Sequence, residues 1–215
     1  PKKQPLHIPL RIALLGSNGQ PIDLKLDTGD AVPDGVLHVT KRTETFRFVD
    51  VPSRPVPSLL QGFSAPVHLT IDLSDRDLEF LIANDTDLFN RWQSANIYAT
   101  RTLIANVALL KEGKRATRGV AFAKALGLAV ADKNLNPAYR AELLRLPSQA
   151  DVAREIGRNV DPHLVYRAHS HLTKLVATTL GEDLEAIYVG SSPRGPFSPD
   201  ARSAGKRALR NAALT

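Results

Sequence analysis

The chain has 215 residues, 43% apolar and 23% charged, which is enough to bury a core and too apolar for a disordered segment. It contains no cysteine, which excludes disulfides, thiolate metal sites and cysteine nucleophiles. Lys and Arg number 28 against 22 Asp and Glu, a net charge of +6, so a nucleic-acid or anionic-membrane partner has to be weighed.

The distribution of that charge argues against both. Up to residue 72 there are 8 basic and 7 acidic residues, and after it 20 and 15, so the excess is spread thinly. The densest spots, KEGKRATR (111–118) and RSAGKRALR (202–210), are not interleaved with aromatics, and a solvated basic face is expected there. No apolar run approaches about 18 residues, so no membrane-spanning helix is expected. The chain begins at Pro1 and has no Met, and its last stretch reads as a helix without a stop signal; a piece cut at both ends is expected.

Residues 1–72 read as strands. In LHIPLRIALL (6–15) the apolar residues Leu6, Ile8, Leu10, Ile12 and Leu14 alternate, which predicts a half-buried strand. Pro9 makes it an edge strand or one with an unpaired side. GSNGQP (16–21) carries the Asn-Gly turn signal, and IDLKL (22–26) reads as the returning strand. VLHVT (36–40), ETFRFVDV (44–51) and APVHLTIDL (65–73) are further strands. VPSRPVPSLLQGF (51–63), rich in proline, reads as a crossing loop. Five or six short strands predict a small Ig-like β-sandwich.

At Leu73–Ser74 the apolar period changes from 2 to 3.6, so residues 73–215 are expected to form an all-α domain. Ser74 and Asp77 form a capping box ahead of Leu78, Leu81 and Ile82. A longer helix starts near Asp87, with Leu88, Trp92, Ala95, Ala99, Leu103 and Val107 as its buried face. A third covers about 119–131 through Phe122, Leu126 and Val130. Asn136-Pro137, Ser148 with Asp151, Asp161-Pro162 and Ser198-Pro199 open four more. Seven helices with short connections predict a solenoid-like stack of antiparallel pairs. Apolar surface is expected to be exposed on the last helix at Leu209, Ala213 and Leu214.

No constellation of catalytic residues stands out. There is no H-E-x-x-H, and His7, His38 and His68 lie on separate candidate strands. His163, His169 and His171 belong to one helix, where the two-residue spacing of His169 and His171 points their rings about 160–200° apart. GSSPRG and GFSAP do not match a nucleophile elbow, and Gly190, Gly195 and Gly205 do not form a phosphate cradle. Asp75 and Asp77, like Glu182, Asp183 and Glu185, are explained by capping and helix-dipole complementation. Arg91-Trp92 could be a recognition pair, but a lone Trp on an apolar stripe is more often core. No catalytic, cofactor-binding or metal-ligating residue is therefore assigned, and the fold alone is legible from pattern.

Several segments carry more information. HIPLRIALLGSNG (7–19), VPSRPVPSLLQGFSAPV (51–67), LSDRDLEFLIANDTDLFNRWQSA (73–95), LPSQADVAREI (146–156) and FSPDARSAGKRALRNAAL (197–214) occur in order over nearly the whole chain. Together they resemble the C-terminal half of the bacterial aminopeptidase N family of zinc-dependent alanyl aminopeptidases. The resemblance implies a β-sandwich followed by the opening helices of a C-terminal helical domain. It places the zinc ligands, the catalytic Glu and the G-A-M-E-N segment in an upstream catalytic domain, with no counterpart here. It implies a non-catalytic part that spaces and covers the peptide-binding chamber, partnered by the catalytic domain and later helices of its own polypeptide, in the cytoplasm. A free-standing protein-interaction scaffold is the alternative.

Overall fold

The computed structural model describes residues 5–32, 34–192 and 196–214; Gly195 and Thr215 lie outside the described residues. Strands come first and helices after, the order of fold classes expected. Three strands, β1 (Ile8–Leu15), β2 (Val36–Val39) and β3 (Val56–Leu59), form an antiparallel sheet in the order β2-β1-β3. Among the described residues eight helices follow: α1 (Asp75–Asn84), α2 (Leu88–Lys111), α3 (Val120–Ala131), α4 (Pro137–Leu143), α5 (Gln149–Ile156), α6 (Pro162–Thr179), α7 (Gly181–Gly190) and α8 (Ala201–Ala212). By its packing the chain forms two compact units, Pro1–Arg91 and Trp92–Thr215, and the division falls inside α2.

Individual strands depart from expectation. β1 is the central strand: its first half pairs with β2 (Arg11 opposite Val36) and its second half with β3 (Ile12 opposite Leu59). Ile12, Ala13, Leu14 and Leu15 are consequently all buried, and alternation is lost where both faces are covered. Pro9 falls in the half that β3 does not reach, which leaves its missing N–H without consequence. The proline-rich crossing loop contains β3, an edge strand that tolerates Pro57. Residues 22–26 and 44–51 pair only through isolated bridges, Lys25 with Ala31 and Leu26 with Phe48, and 65–73 forms no ladder. Glu44 turns its carboxylate onto the N–H groups of Thr40 and Lys41 at 2.7 and 3.2 Å, which closes a turn where a strand was expected to begin.

The helix starts follow local chemistry. Ser74 and Asp77 make the reciprocal capping box, and Asn136, Ser148 and Asp161 cap α4, α5 and α6 with their side chains. Asp200, two residues after Ser198, caps α8 by accepting from the N–H of Ser203. α7 was not foreseen: Leu180 ends α6 and starts α7 at once, with no side-chain cap to announce a new helix.

The buried face of α2 is rotated from the one expected. Ala95, Ala99 and Leu103 are buried, but Leu88 is exposed and Trp92 and Val107 are half-buried. Arg91, Ser94, Thr102 and Asn106 share the buried face, and the polar groups of Arg91 and Asn106 are used there to tie down neighbouring backbone. In α8, Leu209 is buried, against expectation, while Leu214 is exposed. Gly205 lets α8 approach α4 closely: a Cβ there would lie 3.1 Å from the backbone nitrogen of Ala138.

Candidate functional site

The residues weighed as chemistry resolve mostly into structural roles. Arg91 is buried and donates from Nε to the carbonyl of Ile82 at 2.6 Å and from a terminal nitrogen to that of Ala83 at 2.9 Å, closing the end of α1. Asp75 lies in the first turn of α1 and Glu182 and Asp183 in that of α7, where they complement the dipole. His68 and His163 are exposed, and His171 presents a buried Nε2 with no partner among the described residues.

One histidine contact is not visible in sequence. The register that sets Pro9 opposite His38 brings His7 Nε2 within 2.8 Å of His38 Nδ1 on the exposed surface. The facing nitrogens hydrogen-bond each other, and among the described residues no group of three or more His, Asp or Glu could hold a metal ion. The residues described do not fit a zinc site, which needs three or four convergent protein ligands.

The least ordinary geometry is the turn after β3. A single 3₁₀ turn spans Gln61–Phe63, and Leu60, Gly62 and Phe63 have φ of 60°, 61° and 53°. The left-handed region costs a non-glycine residue roughly 1 kcal/mol or more, so Leu60 and Phe63 must be held there. The N–H of Phe63 donates to the carbonyl of Leu60 at 3.2 Å, and hydrogen bonds to the flanking residues fix the turn around them. Gln61 Nε2 donates to Ser58 Oγ at 3.0 Å, and the N–H of Gly62 donates to Asp87 Oδ2 at 2.8 Å. Asn90 Nδ2 donates to Ser58 Oγ and to the carbonyl of Leu59, both at 2.9 Å. The N–H of Arg11 donates to Ser64 Oγ at 2.9 Å.

Beneath the turn, Ser58 donates to Asp85 Oδ1, which also accepts from the N–H of Asp87. Burial pushes the Asp85 carboxyl above the usual carboxylate range, and those two donors offset it only in part. On the outside, the rings of Phe63 and Phe89 pack at 4.2 Å between centroids, and Phe63 is 64% exposed.

The helical unit holds a separate depression of about 340 Å³, lined by Leu144, Leu146, Val176 and Leu184 together with Arg145, His169 and Thr173. Its polar lining groups are paired internally, Thr173 Oγ1 lying 3.5 Å from His169 Nδ1 and Arg145 pairing with Glu142.

The sheet followed by helical layers places this chain in a defined class. Residues 75–215 match the domain of unknown function DUF3458_C, ARM repeats, and the chain belongs to that family. Residues 1–72 match the domain of unknown function DUF3458, Ig-like fold, which bears out the Ig-like expectation.

The chain is homologous to the C-terminal region of aminopeptidase N. It is 36% identical over 213 residues to aminopeptidase N of Escherichia coli, covering 99% of this chain and 24% of that protein. It is 39% identical over 168 residues to aminopeptidase N of Caulobacter vibrioides, covering 78% of this chain and 19% of that one. Among solved structures it resembles Legionella pneumophila aminopeptidase A in complex with aspartic acid, with a TM-score of 0.75 and 26% identity over 97% of this chain and 24% of that one. The chain thus spans no more than about a quarter of the length of the relatives it matches.

Proposed function

We propose that this chain is a non-catalytic C-terminal part of a zinc metallo-aminopeptidase. In the parent polypeptide it spaces and covers the peptide-binding chamber, while an upstream domain binds zinc and releases N-terminal amino acids from peptides. A cytoplasmic location belongs to the same proposal. The observation that carries it is the similarity to aminopeptidase N over 213 residues, running through sheet and helices alike. The physical character of the chain supports the role: its polar side chains are used in caps and backbone ties, which is what a rigid wall requires. No helix among the described residues is long and apolar enough to cross a membrane.

The test compares the intact parent polypeptide with the isolated 215-residue chain. The intact polypeptide is expected to hold stoichiometric zinc and to hydrolyse an alanyl chromogenic amide in a chelator-sensitive way. The isolated chain is expected to fold and do neither. Chelator-sensitive turnover by the isolated chain, or an intact polypeptide that cleaves no aminoacyl amide, would overturn the reading.

A further inference from the structure

The turn at 60–64 presents Phe63 outward at the cost of two non-glycine residues in left-handed conformation. The ring packs on Phe89 and stays 64% exposed, while Phe89 is 38% exposed and Leu88 one residue earlier is 45% exposed. A folding unit gains nothing from spending backbone strain to set a large apolar ring in water, and such patches mark interfaces. The turn is also unusually well fixed, since β1, β3 and the α1–α2 corner all contribute hydrogen bonds to it. A pre-set aromatic pair on a rigid mount has the properties of an interface anchor, because little ordering entropy is left to lose on docking.

We propose that the Phe63–Phe89 pair is the face on which the preceding part of the parent polypeptide docks, through an apolar surface of its own. The inference rests on the proposed function in one respect, that this chain is part of a longer polypeptide. Two observations select that occupant. Three-quarters or more of each matched relative lies outside the aligned stretch, and the similarity is to the C-terminal region, so most of the parent precedes this chain. The polypeptide reaches the unit at β1, and β1 is itself stitched to the turn where Arg11 donates to Ser64. A preceding domain therefore arrives beside Phe63. The complement is apolar because two packed, partly exposed rings gain most from removing their apolar area from water.

Hydroxyl-radical footprinting reads side-chain exposure directly. In the isolated chain Phe63 and Phe89 should oxidise readily, and Phe122, 1% exposed, should resist in every sample. In the intact polypeptide oxidation of both Phe63 and Phe89 should fall several-fold. Equal oxidation in the two samples, or protection that appears only when peptide is added, overturns the proposal. Phe63→Asn provides a second readout, since Asn accepts the left-handed backbone and removes the ring. The melting temperature of the isolated chain should hold or rise, while that of the intact polypeptide should fall; no change in the intact polypeptide counts against docking. Protection of Phe63 in an intact polypeptide that cleaves no aminoacyl amide would sink the aminopeptidase reading and leave the docking face standing. Turnover with Phe63 still exposed would do the reverse.

Discussion

The Ser58 hydroxyl donates to Asp85 Oδ1 over 3.1 Å, and both residues are 2% exposed, so strand β3 and the α1–α2 corner share a buried carboxylic acid. Oδ1 also accepts from the N–H of Asp87 at 2.9 Å, while Oδ2 is buried with no partner among the described residues. Burial raises the pKa of Asp85, the neighbouring Asp87 carboxylate adds to the rise, and the buried Arg91 opposes it. Because the folded value lies above the ordinary one of 3.8, stability from this group is fully present below that pH and is lost as pH rises through the folded pKa. Asp85→Asn keeps the Oδ1 acceptor and removes the ionisation. The stability of the variant relative to the native chain should rise as the pH climbs from the ordinary value of 3.8 through the raised folded pKa, by about 1.4 kcal/mol for each unit of upward shift. Urea denaturation at a series of pH values measures it, and a difference independent of pH would show that Asp85 does not ionise against its surroundings.

Asn106, 0% exposed, is a comparable tie in the helical unit. Its Oδ1 accepts from the N–H groups of Thr117 and Arg118 at 3.1 and 3.0 Å, and its Nδ2 donates to the carbonyl of Arg118 at 3.0 Å. Asn106→Ala strands three backbone groups of the segment leading into α3 and should cost about 3 kcal/mol. Asn106→Asp keeps the two acceptor contacts but sets a carboxylate oxygen against the Arg118 carbonyl, so it should also destabilise. Chemical denaturation of both variants is the measurement, and a loss below about 0.5 kcal/mol for Asn106→Ala would mean water replaces the side chain freely.

The contrast between these two ties explains what could be read from sequence. Helix starts were legible because a cap and the helix it opens are neighbours in the chain, as with Ser74 and Asp77 or Asp161 and Pro162. α7 escaped because Leu180 serves two helices and no polar side chain announces the second. β3 escaped because its proline density reads as loop until β1 is known to lie beside it. The His7–His38 and Phe63–Phe89 contacts depend on register and on the α1–α2 corner, and no local pattern encodes either. The family resemblance was carried by ordered segments, including the one that forms the Phe63 turn, and did not depend on solving the sheet.

The capping box of α1 gives an acid-side prediction of opposite sign. Asp77 is 5% exposed; burial alone would raise its pKa, but the Ser74 hydroxyl at 2.7 Å, the Ser74 N–H at 3.1 Å and Arg54 at 3.0 Å outweigh it, and the net shift is downward. Stability from Asp77 is therefore present above its ordinary pKa of 3.8 and lost as pH falls through the lower folded value. Ser74→Ala should cost about 1 kcal/mol at neutral pH and move the acid-unfolding midpoint to higher pH. Arg54→Ala should cost well under about 1 kcal/mol, since that side chain is 78% exposed and its ion pair is screened. Helical circular dichroism followed from neutral to acid pH checks both; equal midpoints for Ser74→Ala and the native chain would rule out the box as an acid-side determinant.

The last prediction concerns the close approach of α3 to α6. Gly119 caps α3 with φ 130° and ψ −8°, a conformation that residues with a side chain rarely adopt. A Cβ there would lie 2.6 Å from Leu172 Cδ1 and 3.0 Å from Leu175 Cδ2, and Leu172 is 0% exposed, so its methyl group has nowhere to withdraw without disturbing the core. Gly119→Ala combines backbone strain with overpacking and should cost about 2–4 kcal/mol. Gly113→Ala separates the two effects: its φ of 73° is also left-handed, but a Cβ would meet nothing within 4 Å, so only the backbone cost of about 1 kcal/mol should appear. Adding Leu172→Ala to the Gly119→Ala background should relieve the clash, so the double variant should lose less than the two single losses added together. Urea denaturation of the four variants measures all of this. Equal losses for Gly119→Ala and Gly113→Ala, or strict additivity with Leu172→Ala, would show that the packing of Leu172 against residue 119 does not require glycine.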